Sequence, residues 1–128
     1  MITINQNTFN KKILIVDDEF HVRSVLCRYF EKKGFIVSDC ASGEEALSQF
    51  EKIQPHIVLL DILMPGMNGV EVFRQMKLKL PSVKVVIISA VRNEKVFHEC
   101  MNLGALDFVS KPFELLSLDV RILGKIFY

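Results

Sequence analysis

Two acids in direct succession, Asp17 and Asp18, with Glu19 behind them, follow the apolar run ILIV at residues 13–16. Asp61 closes a second run, HIVLLD; Ser89 closes a third, VVIIS; and Lys111 follows a fourth, FVS. Carboxylates held side by side raise each other's pKa and cost stability unless a cation sits among them. An all-oxygen donor set of this kind suits Mg2+, which prefers carboxylates, waters and phosphate oxygens to a closed protein cage. Each residue alone has an ordinary explanation, because an acid at a strand end often caps the next helix and a surface lysine is usually solvated. Gathered at one place, they call for another one.

Whether they gather depends on the elements that carry them. The strand candidates are Ile13–Val16, Phe35–Val37, Ile57–Leu60, Val83–Ser89 and Phe108–Ser110, nearly continuous in aliphatic and β-branched residues. Such runs suit strands covered on both faces. Between them lie amphipathic segments with helix punctuation. FHVRSVLCRYFEKKG repeats its apolar residues at helical spacing and stops at Gly34. Ser42 with Glu45, and Asn68 with Glu71, have the spacing of capping boxes. RNEKVFHECMNLG stops at Gly104, and ELLSLDVRILGKIF reads as a fifth helix. Five strand–helix repeats predict an α/β fold with a doubly wound, five-stranded parallel sheet and helices on both faces. In the order 2-1-3-4-5 the first and third strands are neighbours, and ligands bind beyond the carboxyl ends of the strands at that switch point. Asp17, Asp18, Asp61, Ser89 and Lys111 then share one rim.

The chain's totals narrow the function. At 128 residues, 50% hydrophobic and 24% charged, the composition is that of one globular domain. A net charge of +1 gives no pull toward nucleic acid or an anionic membrane, and no apolar run approaches the roughly 20 residues of a membrane span. The N-terminus lacks a signal-peptide pattern. Three widely spaced cysteines, Cys27, Cys40 and Cys100, argue against disulfides or zinc and for a cytoplasmic protein.

Taken together, ILIVDDE, PHIVLLDILMPGMNGVEVF, VVIISA and GALDFVSKPF resemble the receiver domain of two-component response regulators, from about Lys11 to Phe127. The resemblance implies a flavodoxin-like receiver over residues 11–128, after a loose arm at residues 1–10. It implies that Asp61 is the phosphoacceptor, with Mg2+ held by Asp18, Asp61 and the Leu63 backbone carbonyl, and by Asp17 through water. Lys111 matches the lysine that contacts the phosphoryl group, followed by a cis bond to Pro112; Ser89 and Phe108 hold the switch positions. Glu19 is expected to be peripheral. The implied partner is a sensor histidine kinase or phosphotransfer protein, with no direct contact to nucleic acid or membrane. Intrinsic autophosphorylation and autodephosphorylation are expected, and the switching surface is the fourth helix, fifth strand and fifth helix. Seven aliphatic residues between Leu115 and Ile126 exceed one helix face, which points to a homodimer surface or a contact with a further domain.

Leu63 and Val91 are apolar where a polar side chain could orient an attacking water, so a long-lived phosphorylated form is expected. Leu63 also stands where an aspartyl-nucleophile phosphatase commonly places its acid/base, which disfavours that reading. A flavin carrier is disfavoured by acids where a cofactor phosphate would sit. A pseudo-receiver is disfavoured because the whole residue set is present.

Overall fold

The computed structural model describes residues 10–66 and 68–127. The expected arm at residues 1–10 therefore lies, Asn10 apart, outside the described residues. Ten elements alternate: β1 (Lys12–Val16), α1 (Phe20–Lys32), β2 (Ile36–Cys40), α2 (Gly43–Ile53), β3 (Ile57–Asp61), α3 (Gly69–Lys79), β4 (Lys84–Ser89), α4 (Glu94–Asn102), β5 (Asp107–Ser110) and α5 (Leu115–Phe127). All strand pairings are parallel and the order is β2-β1-β3-β4-β5, the doubly wound sheet expected from the alternation.

The unbroken apolar runs are explained by two cores, one on each face. Side chains alternate along a strand, so Leu14, Val16, Val58, Leu60, Val85 and Ile87 pack with Phe50, Phe73, Met76 and Cys100 from α2, α3 and α4. Ile13, Ile15, Ile57, Leu59, Val86 and Ile88 pack on the opposite face with Leu26 and Phe30 of α1 and Leu118 and Ile122 of α5. Burying a phenylalanine such as Phe30, Phe50 or Phe73 contributes about 2–3 kcal/mol. On α5, Leu116 and Val120 face solvent.

Helix ends follow the local chemistry. Ser42 Oγ accepts the Glu45 amide, and Asn68 Oδ1 accepts the amides of Val70 and Glu71. Glu71 does not complete the reciprocal half of the expected box; it turns instead to Arg74 and Gln75. At Gly69 a β-carbon would lie 2.4 Å from Ile62 Cα, so α3 starts in backbone contact with the residue after Asp61. All three cysteines are free, and burial pushes their thiols up, Cys40 to about 12 and Cys27 and Cys100 to about 11.

Candidate functional site

Strand register sets the site. Val16 of β1 is level with Leu60 of β3, so the next residues, Asp17 and Asp61, emerge side by side at the carboxyl edge. Ser89 and Ser110 are paired across β4 and β5, and the Lys111 amide donates to the Ser89 carbonyl at 2.8 Å. The Lys111–Pro112 peptide is cis.

From there the Lys111 ammonium reaches back across the edge of the sheet. Its Nζ lies 2.7 Å from Asp17 Oδ2, 2.9 Å from Asp61 Oδ2 and 3.5 Å from Glu19 Oε1. Each aspartate also accepts from a local amide: Glu19 N to Asp17 Oδ1 and Leu63 N to Asp61 Oδ1, both at 2.9 Å. Asp17 and Asp61 are buried, whereas Asp18 is exposed beside them. Burial pushes the Asp17 carboxyl above the usual carboxylate range; Lys111 and the Glu19 amide oppose the rise without cancelling it, and the Asp61 charge adds to it. Burial works against the charge of Lys111, but the two aspartates outweigh it and hold the ammonium protonated well past its ordinary range.

One observation fits the adjacent acids to a hard divalent cation. Ligand oxygens from Asp17, Asp18 and Glu19 all lie within 4.8 Å of one another. Asp17 Oδ2 is buried and, although close to Lys111, has no donor aligned for a hydrogen bond. The Lys111 ammonium, 2.7 Å away, is the cation that already faces this oxygen.

The switch candidates are arranged differently. The Ser89 hydroxyl donates to the Val91 carbonyl at 2.6 Å and accepts the Val91 amide at 3.2 Å, so it is folded onto its own loop. Phe108 is already buried, edge-on to Phe97 with ring centroids 5.4 Å apart, and Arg92 lies 4.2 Å over the Phe97 ring. Leu63 is half exposed beside Asp61.

The structure thus brings Asp17, Asp61 and Lys111 together, with Asp18 and Glu19 clustered beside Asp17; Ser89 ends the strand next to β3, and Phe108 is buried against Phe97. It draws Glu19 closer than the peripheral place expected for it. Arg23 was not singled out by sequence, yet its Nη1 donates to the Asp17 carbonyl at 2.8 Å and its Nε to Asp39 Oδ2 at 3.0 Å. The only signal in the sequence is its place one helical turn after Glu19.

Known proteins share this sequence pattern and this fold. Residues 13–123 match the family described as response regulator receiver domain. Sporulation initiation phosphotransferase F of Bacillus subtilis is 39% identical over 106 residues, covering 83% of this chain and 86% of the relative. Chemotaxis protein CheY of Listeria monocytogenes is 36% identical, covering 80% and 87%. Among solved structures, the CheX-CheY-BeF3-Mg+2 complex from Borrelia burgdorferi matches with a TM-score of 0.87 at 30% identity, covering 98% of this chain and 96% of that one. A CheY-like receiver domain protein from Methanospirillum hungatei matches with a TM-score of 0.87 at 27% identity, covering 91% and 93%.

Proposed function

Because the chain belongs to the response regulator receiver family, we propose that Asp61 is its phosphoacceptor, charged from the phosphohistidine of a sensor histidine kinase or phosphotransfer protein. The observation that carries this is the Lys111 ammonium bridging Asp17 and Asp61 at 2.7 and 2.9 Å. An Asp61 carboxylate oxygen attacks phosphorus, the P–N bond breaks, and its electron pair returns to the donor imidazole. Phosphoryl transfer asks the protein mainly for positioning and charge neutralisation.

The chain's own residues supply both. The Leu63 amide holds one Asp61 oxygen and so aims the other at the donor. Lys111 gives up part of its contact with Asp61 to meet the incoming phosphoryl oxygens. Asp18, Asp61 and the Leu63 carbonyl, with Asp17 through water, are the groups that would hold Mg2+. When bound, Mg2+ would neutralise charge on the phosphoryl oxygens. An apolar groove of Val22, Val25, Leu26, Phe113 and Leu115 opens beside Lys111 and is a fitting seat for the donor protein. Reversal by water would reset the signal, so autophosphorylation and autodephosphorylation belong to the same site.

The output lies in α4, β5 and α5. The phosphoryl group draws the Ser89 hydroxyl away from Val91, and the loop that precedes α4 moves with it. Leu116 and Val120, exposed one turn apart on α5, are the apolar groups for a homodimer on this face. No described helix is long and apolar enough to cross a membrane, and we assign the protein to the cytoplasm.

Incubation with Mg2+ and a small-molecule phosphodonor tests the assignment by intact mass. Wild type gains one phosphoryl group and Asp61→Ala gains none. A wild type that never gains the mass overturns the reading.

A further inference from the structure

The Asp17 backbone is held at both ends of its residue. Its amide donates to the Cys40 carbonyl at the end of β2, at 3.2 Å. Its carbonyl accepts from Arg23 Nη1 at 2.8 Å, and the same guanidinium donates through Nε to Asp39 Oδ2 at 3.0 Å. Asp39 is level with Ile15 in the β1–β2 ladder, so its place is fixed by strand pairing. The Arg23 amide in turn closes the first turn of α1 on the Glu19 carbonyl at 3.1 Å. The Arg23 side chain is only 14% exposed, unlike a solvated helix arginine.

The Asp17 carbonyl and the Asp18 amide belong to one planar peptide unit. Fixing that carbonyl therefore fixes the plane from which the Asp18 side chain departs. Asp18 itself is exposed, and neither a hydrogen bond nor an ion pair of its carboxylate is seen among the described residues. Its aim is thus set through the backbone.

We propose that Arg23 is a positioning residue for the metal-binding acids: it clamps the Asp17–Asp18 peptide to the end of β2 and so presets Asp18 for Mg2+. This rests on the metal-site reading of Asp18 given above. The planar fork matters because one guanidinium must meet a carbonyl and a carboxylate at once, which a lysine ammonium on its flexible stem does poorly. Groups that orient a metal ligand without touching the metal commonly change affinity by about 10- to 100-fold when removed.

Charge and position predict opposite signs, which makes the test decisive. Arg23 is a cation near a cation site, so charge alone predicts that Arg23→Ala binds Mg2+ more tightly. Positioning predicts that it binds about tenfold more weakly or worse, with Arg23→Lys intermediate although its charge is kept. The experiment is calorimetric Mg2+ titration of wild type, Arg23→Ala, Arg23→Lys and Asp18→Asn, well below each variant's unfolding temperature. The Asp18 amide shift is followed by NMR in the same series. Weaker binding in both Arg23 variants, with a displaced Asp18 amide resonance, supports the clamp. Unchanged or tighter binding in Arg23→Ala, or wild-type affinity in Arg23→Lys, overturns it. If Arg23→Ala does not fold, the result for Arg23→Lys decides. Wild type that binds no Mg2+, or Asp18→Asn that binds as well as wild type, overturns the metal-site reading and this inference with it.

Discussion

Lys111 Nζ lies 2.9 Å from Asp61 Oδ2, so the proposed phosphoacceptor is ion-paired with the lysine proposed to contact the oxygens of the phosphoryl group it receives. The same ammonium also faces Asp17. Lys111→Met leaves two buried carboxylates side by side with no cation between them. The variant is expected to lose about 2 kcal/mol of stability without Mg2+, and to regain more from added Mg2+ than wild type does. Thermal unfolding with and without Mg2+ measures both. An equal Mg2+ effect on the two proteins would contradict the neutralising role.

Away from the site, Asp107 is met by Arg121 from α5 through two bonds of 2.8 Å. Burial alone would raise its carboxyl, but Arg121, the Phe108 amide and Lys125 outweigh burial and hold it below the ordinary range. A depressed carboxyl adds stability that is fully present above its unfolded pKa, about 3.9, and is lost as pH falls through the lower folded value. Asp107→Asn should therefore cost about 1 kcal/mol near neutrality, and the gap should begin to narrow below about pH 4 and vanish only below the depressed folded value. Urea unfolding at neutral and acidic pH checks this; a gap that persists at low pH would rule it out.

The two glycines after Asp61 should differ. A β-carbon at Gly69 meets Ile62 Cα at 2.4 Å and Ile62 O at 2.6 Å, so Gly69→Ala must push the backbone next to the proposed phosphoacceptor. We expect a loss of about 1–3 kcal/mol and slower phosphorylation. Gly66 has φ +73° but open space around it, so Gly66→Ala adds only backbone strain, about 1–2 kcal/mol. Phosphorylation time courses for both variants, beside their unfolding curves, separate the two effects.

Phe108 is buried against Phe97 while the Ser89 hydroxyl is bonded to Val91. Activation then has more to change at the loop than at the ring. Adding beryllofluoride and Mg2+ should shift the Val91 and Arg92 amide resonances well beyond those of the Phe108 ring, and Ser89→Ala should abolish the loop shifts. A Phe108 ring that loses its contacts to Phe97 in one state would place the switch at the aromatic.

Leu63 exposes 51% of its surface beside Asp61 without a polar group to hold an attacking water. Leu63→Asn should shorten the life of the phosphorylated form several-fold, a factor of about five being worth roughly 1 kcal/mol of barrier. Decay of the phosphorylated mass in wild type and variant measures it. A phosphorylated lifetime of seconds that Leu63→Asn leaves unchanged would show that this position does not limit hydrolysis.

What the sequence revealed, and what it hid, divides along physical lines. ILIV, IVLL and VVII read as strands because both of their faces are buried, and the sheet order then placed Asp17, Asp61 and Lys111 on one edge without side-chain detail. β2 was expected at Phe35–Val37 and runs instead over Ile36–Cys40. It is an edge strand, and exposed Asp39 and half-buried Ser38 blur its apolar pattern. Arg23 stayed hidden because its part depends on where a long side chain reaches, and a charged residue in an amphipathic helix normally points to water. The buried place of Phe108 was one of the two readings open from sequence; its partner Phe97, across the β5–α4 packing, was not.

Since Val16 is level with Leu60, the proposed site is addressed by ladder rungs, while the loops only decorate it. One residue inserted within β1 or β3 would turn the acid it carries toward the opposite face of the sheet and separate the pair. Insertions after Gly66 or before α4 would leave the address intact. Variation should therefore be tolerated where partners are read and punished where the strands count residues, so that one scaffold can serve many signals with a single chemical step.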